Sequence, residues 1–211
     1  MSLASEEMGS RALAKREQIL AGARMVFLRD GFAAASTDAI AAEAKVSKRT
    51  LYVYYPSKEE LFADVMRGLT IENPQIRALE SIGEMSPGDE GELRRDLLEL
   101  AGKIVATMMQ PDYLALLRTT IADTHRFPQL GGLFRATVPE RAMSGFAVFI
   151  ERVRERGMVR KDVSGDAAAR TFIGPLLTYA VLGGLLVEGP PQPPESEKIE
   201  EIVDLYMKAI T

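Results

Sequence analysis

Between Ala44 and Lys58 the chain reads AKVSKRTLYVYYPSK, which holds four cations, no acid and three of the six tyrosines, Tyr52, Tyr54 and Tyr55. Cations interleaved with serine, threonine and tyrosine hydroxyls can donate hydrogen bonds to phosphate oxygens, and an arginine can also grip guanine O6 and N7 with two bonds. Most charge runs are only solvated faces, so the local architecture has to decide. Elsewhere the reactive inventory is thin. With no cysteine there is no disulfide, thiolate metal site or thiol nucleophile, and one histidine, His125, gives no histidine-rich metal centre and little basis for a triad. The run Glu151-Arg152-Val153-Arg154-Glu155-Arg156 pairs carboxylates, but its interleaved arginines read as a solvated salt-bridge face rather than acid/base machinery. No enzyme activity, catalytic residue, metal or cofactor is expected.

The 211 residues suffice for one or two domains with a real core, and 46% apolar with 27% charged residues is ordinary for a soluble globular protein. The net charge of −4 argues mildly against a nucleic-acid partner, but it is unevenly placed. Residues 1–68 carry ten Lys and Arg against nine Asp and Glu, while residues 69–211 carry sixteen against twenty-one. The opening residues lack the apolar core of a signal peptide. The longest uncharged stretch, 171–187, is short for a membrane span and is interrupted by Gly174, Pro175, Gly183 and Gly184, so a buried core or interface helix is expected, in a cytoplasmic protein.

The elements that must position the basic run are helical, since no sustained period-two pattern occurs. Residues 11–30 form an amphipathic helix with Ile19, Ala23, Val26 and Phe27 in register, stopped by Gly31 at a left-handed position. Ser36 or Thr37 caps a short helix through Ala44; Lys45-Val46 turns the chain; Ser47 caps a third helix, Lys48 to Tyr55, that Pro56 ends. Ser57 and Glu60 form a capping box opening a fourth helix through Leu61, Phe62, Val65, Met66 and Leu69. Two short helices joined by a tight turn and held by a longer one make a helix-turn-helix. Lys48, Arg49 and Tyr52 share one face of the third helix, Leu51 and Tyr55 another, and the small Ala41 is expected where the two helices cross.

On these residues, and above all on TDAIAAEAKVSKRTLYVYYPSKEELF from Thr37 to Phe62, the chain resembles the tetracycline-repressor (TetR) family of bacterial transcription regulators. Two positions depart from the family pattern. Lys45 stands where glycine is common in the turn, at a cost of about 1 kcal/mol if the backbone there is left-handed. Arg49 stands where many members have a small residue. The resemblance implies an all-α homodimer, with a helix-turn-helix DNA-binding domain at 11–56 and a helical effector-binding and dimerisation domain at 57–211, about nine helices in all. It implies that Thr37, Thr50, Tyr52, Tyr54 and Lys58 contact phosphate or sugar and that Lys48 and Arg49 reach base edges in double-stranded operator DNA; for Arg49, phosphate contact and a solvated position stay open. Tyr55 replaces the family's common phenylalanine and reads as core.

Beyond Ser57 the pattern gives helices at 92–110, at 111 to about 124, from 138 or 139 to 156, at 166–188 and at 195–210, with Pro128 and Gly131-Gly132 read as chain breaks. The segment HRFPQLGGLF, His125 to Phe134, also resembles one found in many family members. The resemblance places the dimer contact on the helices near 166–188 and 195–210, and the small residues Gly174, Ala180, Gly183 and Gly184 suit close approach of a partner helix. Met108, Met109, Tyr113, Leu117, Phe146, Phe149, Phe172 and Tyr179 are large, adaptable side chains that either line a pocket for an apolar or planar effector or simply fill the core. His125 is a pH-sensitive candidate for the same pocket or a structural histidine. The expected function is that of a repressor released from its operator by a small molecule; the alternative keeps DNA binding but makes the C-terminal part a dimerisation or protein-interaction platform without effector.

Overall fold

A computed structural model describes residues 3–70, 82–137 and 139–211, and among them every regular element is helical. Ten α-helices follow in order: α1 Leu3–Ala34, α2 Thr37–Glu43, α3 Lys48–Tyr54, α4 Lys58–Thr70, α5 Glu90–Met108, α6 Pro111–Thr124, α7 Pro128–Thr137, α8 Pro139–Glu155, α9 Gly165–Ala180 and α10 Ser196–Ile210. The fourth helix reaches Thr70, and the course expected from there toward Gly83 falls largely outside the described residues.

Local chemistry sets the boundaries. Ser36, Ser47 and Ser57 each accept a backbone N–H three residues on, from Ala39, Thr50 and Glu60, at 3.0–3.1 Å. Asp89 accepts from Glu92 N while the Glu92 carboxylate reaches back to Gly88 N, a reciprocal cap that starts α5 two residues before the expected Glu92. Gly31 at φ 75° interrupts α1 and Gly157 at φ 81° follows α8, both as read from the sequence. Helix α1 itself begins at Leu3, eight residues before the amphipathic pattern.

Two expectations fail. Pro128 does not break the chain but occupies the first turn of α7, which runs straight through Gly131-Gly132 to Thr137. Gly131 lies against α6, where an added Cβ would sit 3.2 Å from Thr124 Cγ2, so tertiary packing holds a sequence of weak helix propensity. The helix expected to reach Glu188 leaves α geometry at Val181, and Val181–Leu185 forms a π-turn. Its cause is tertiary: Gln192 N donates to Gly183 O at 2.7 Å and Arg118 donates to Gly184 O and Leu185 O at 2.6 and 2.9 Å.

There are two cores. The N-terminal one joins Ile19, Phe27 and Phe32 of α1 to Ile40, Leu51, Leu61, Phe62 and Met66, and takes in Tyr113 and Leu116 of α6 and Leu130 of α7. The second joins α5, α8, α9 and α10 around Phe146, Phe149, Phe172 and Tyr206. Between them stands α6. On its α1 side Asp112 pairs with Arg24 and Asp123 accepts Ala33 N at 3.0 Å, and on the other side Arg118 holds the π-turn. The Glu151–Arg156 run is more than a solvated face. Arg152 and Arg156 donate to the carbonyls of Ile82 and Pro87, Arg154 to that of Val163, and Glu151 accepts Gly165 N, so the run clasps the chain entering α5 and α9.

Candidate nucleic-acid interface

The turn between α2 and α3 is tight. Val46 N donates to Ala41 O at 2.9 Å, and Lys45 takes φ 52°, the one positive value at a non-glycine among the described residues. Ala41 is buried, and a second close approach is made by Gly22 of α1 against the end of α2, where a Cβ would meet Ala44 N and Cα at 2.6 and 2.7 Å, and Gln18 seals it by donating to Ala44 O at 2.6 Å. The signal available for Gly22 was a glycine inside an amphipathic helix, a position where alanine would be the better helix former.

Leu51 turns into the core and α3 presents Lys48, Arg49, Tyr52 and Val53 to solvent. Lys48 Nζ pairs with Asp38 at 2.9 Å, which raises its pKa through that hydrogen bond. Thr37 and Tyr52 bring their hydroxyls to 3.3 Å, and Thr50 shares a 2.7 Å hydroxyl contact with Ser47. Arg49 is exposed and makes no hydrogen bond or ion pair with another described residue. Six of the seven expected DNA-facing residues, Thr37, Lys48, Arg49, Thr50, Tyr52 and Tyr54, therefore lie on α3 and the start of α2. Tyr54 is half-buried against the N-terminal core. Lys58 is half-buried and donates to Phe32 O and Ala35 O at 2.7 and 2.8 Å, with its ammonium 4.3 Å from the centre of the Phe32 ring. Burial lowers its pKa. Two of its three N–H donors thus fasten the α1–α2 connection to α4.

Behind α3, Tyr55 is core, as read, with a polar handle the sequence did not disclose. Its hydroxyl donates to Asp64 at 3.0 Å and accepts from Arg16 Nε at 3.1 Å, while Arg16 and Arg67 both pair with the Asp64 carboxylate. Burial, followed by the Asp64 hydrogen bond, pushes the Tyr55 hydroxyl up to about 12. The network ties α1, the end of α3 and α4 into one unit, which fixes the angle at which α3 is presented.

The residues considered for an effector pocket do not form one site. Tyr113 lies in the N-terminal core with Met108 and Leu117 packed against it, whereas Met109, Phe146, Phe149, Phe172 and Tyr179 belong to the second. Phe146 and Phe172 stack with centroids 4.7 Å apart, and with Phe149 they are fully buried. Met109 lies against Gly183 and Gly184, and His125 is exposed just past α6. A cavity of about 480 Å³ opens elsewhere, beside Glu92, Asp96, Glu99 and Lys103 of α5, and another of about 230 Å³ between α1 and α4. The small residues at the end of α9 and in the π-turn also face inward: Ala180 is buried, a Cβ on Gly183 would strike Gln192 O at 2.5 Å, and one on Gly184 would meet Leu114 at 2.9 Å. Of the four small residues expected at a partner helix, only Gly174 has open space over it.

A tri-helical unit with an exposed, cationic second helix of a helix-turn-helix defines a DNA-binding protein of the class that docks one helix in the major groove. Comparison with known proteins narrows the class. Residues 19–65 match the family described as bacterial regulatory proteins, tetR family, and residues 87–206, more than half of the chain, match the tetracyclin repressor-like C-terminal domain. The chain belongs to the TetR family. A TetR-family transcriptional regulator from Mesorhizobium loti has a similar structure, with a TM-score of 0.72, 25% identity and coverage of 94% of this chain and 96% of that one. The flavonoid-responsive regulator FrrA is 30% identical, with a TM-score of 0.68 and coverage of 94% and 97%. An uncharacterized HTH-type transcriptional regulator of Mycobacterium bovis, Mb1581, is 22% identical across 90% of this chain and 84% of its own length. The protein is a DNA-binding transcriptional regulator and not an enzyme.

Proposed function

We propose that the protein is an operator-specific repressor that acts as a homodimer in the bacterial cytoplasm and leaves DNA when a small molecule binds its C-terminal part. The observation that carries the operator reading is Arg49, an exposed guanidinium with no partner among the described residues, at the start of the recognition helix. Thr37, Thr50, Tyr52, Tyr54 and Lys58 supply phosphate and sugar contacts around it, and Lys48 joins them once Asp38 releases it. Two such helices in a dimer fit half-sites about 34–36 Å apart. The exposed leucines of α9, the π-turn that continues it and α10, Leu177, Leu182, Leu186 and Leu205, support dimerisation there. Selection of bound duplexes from a random library tests the operator reading: a pseudo-palindromic site should emerge, and Arg49→Ala should relax it at one base position per half-site. Equal loss on all sequences would make Arg49 a phosphate ligand.

The relative named as flavonoid-responsive favours a planar, largely apolar effector. The mutual packing of Phe146, Phe149 and Phe172 favours the other reading, a C-terminal platform with a filled core and no effector. A panel of flavonoids and other planar compounds distinguishes them. A ligand that raises the melting temperature and releases operator DNA supports the repressor with effector; no shift and no release support the platform.

A further inference from the structure

Recognition helix α3 presents four exposed side chains in two pairs, each four residues apart and therefore on a common stripe: Lys48 with Tyr52, and Arg49 with Val53. The two stripes are treated differently by the fold. Lys48 and Tyr52 are both tied back to α2, to Asp38 and Thr37. Arg49 has no partner among the described residues, and Val53 leaves 75% of its surface in water. The first stripe is braced against its own domain, while the second points outward unengaged.

Val53 has no role in folding that would account for it. It adds nothing to the core, and on an exposed helix position a β-branched side chain is less favourable than alanine. Its two methyl groups are held in a narrow range of χ1, so they form a small, rigid apolar knob. In the major groove the one apolar feature of a base edge is the thymine C5-methyl, and guanine offers the acceptor pair that suits arginine.

We propose that Val53 is a specificity-determining residue that reads a thymine methyl group, in register with a guanine held by Arg49. Four residues of helix advance about 6 Å, and base steps are about 3.4 Å apart, so the two contacts fall within two base pairs of each other in each half-site. Lys48 and Tyr52 then work the flanking backbone. The assignment rests on α3 being the operator-reading helix.

The test uses the full-length protein and the duplex that it selects from a random library. Each thymine of that duplex is replaced in turn by uracil, which removes only the methyl group. The expected result is one thymine per half-site, at most two base pairs from the guanine that Arg49→Ala ceases to select, where uracil weakens wild-type binding roughly fourfold, the size of one buried methyl. Val53→Ala should bind the thymine and uracil duplexes equally, with an unchanged salt slope. Because alanine suits a helix better than valine, this variant keeps α3 folded, and its circular dichroism is the control. If Val53→Ala senses uracil as wild type does, or weakens binding to all sequences with a lower salt slope, Val53 reads no methyl. If the wild-type protein selects no sequence at all, the operator reading fails first and takes the Val53 assignment with it.

Discussion

Lys48 and Asp38 face each other across the helix-turn-helix, ammonium to carboxylate at 2.9 Å, so the recognition helix carries one of its cations already neutralised. Both side chains are largely exposed, and such a bridge contributes little to stability. Its consequence is electrostatic. Asp38→Asn should leave the melting temperature nearly unchanged, raise affinity for all duplexes and steepen the dependence of log K on log salt by roughly one unit per subunit. An unaltered slope would mean that Lys48 already engages phosphate with Asp38 in place.

Lys58 separates two roles. Its contacts with Phe32 O, Ala35 O and the Phe32 ring lead us to expect that Lys58→Ala lowers unfolding free energy by about 1–3 kcal/mol, because two carbonyls lose a charged donor. Urea unfolding reads this directly. A purely phosphate-binding lysine would instead leave the unfolding midpoint in place and flatten the salt slope by about one unit.

Lys45 holds a left-handed backbone without the glycine that suits it. Lys45→Gly should stabilise the folded protein by about 1 kcal/mol, with operator selectivity retained, since the side chain lies exposed and outside α3. A loss of stability would show that the lysine makes a compensating contact.

Tyr55 should limit stability at high pH. Its hydroxyl titrates near 10 when unfolded and about 12 when folded. Between those values the folded state holds the proton and the unfolded state has lost it, so the tyrosine's contribution is complete below pH 10 and disappears as pH rises through 12. Tyr55→Phe should be less stable than wild type at neutral pH, by about 1 kcal/mol for the lost hydrogen bonds, and the gap should close above pH 10. Equal gaps at pH 8 and pH 11 would refute the assignment.

Gly183→Ala places a Cβ against the Gln192 carbonyl, while Gly174→Ala enters open space within one subunit. The first should destabilise strongly. The second gains up to about 1 kcal/mol of helix propensity in an isolated subunit, so weakened self-association in sedimentation, with the fold intact, would locate the partner over Gly174.

Much of this was legible in the sequence because it is local. Serines 36, 47 and 57 cap what they precede, Gly31 interrupts its helix and Gly157 follows the end of another, and the positive φ of Lys45 follows from its place in the turn. What escaped depends on distant neighbours. Gly131-Gly132 breaks a helix by propensity, yet contact with α6 keeps α7 continuous. Nothing local in VLGGL announces a π-turn, since Gln192 and Arg118 impose it. Lys58 reads as a surface cation until Phe32 and Ala35 are brought to its ammonium. Gly183 and Gly184 look like an external contact because small residues allow close approach without saying which side is approached.

Helix α6 has an implication for how the two halves of the molecule communicate. Tyr113 and Leu116 fill one core, Leu114 abuts Gly184, and Arg118 grips the turn beyond it. The helix is a shared wall: its apolar side belongs to one core, and its far side reaches the other half through the turn that Leu114 and Arg118 hold.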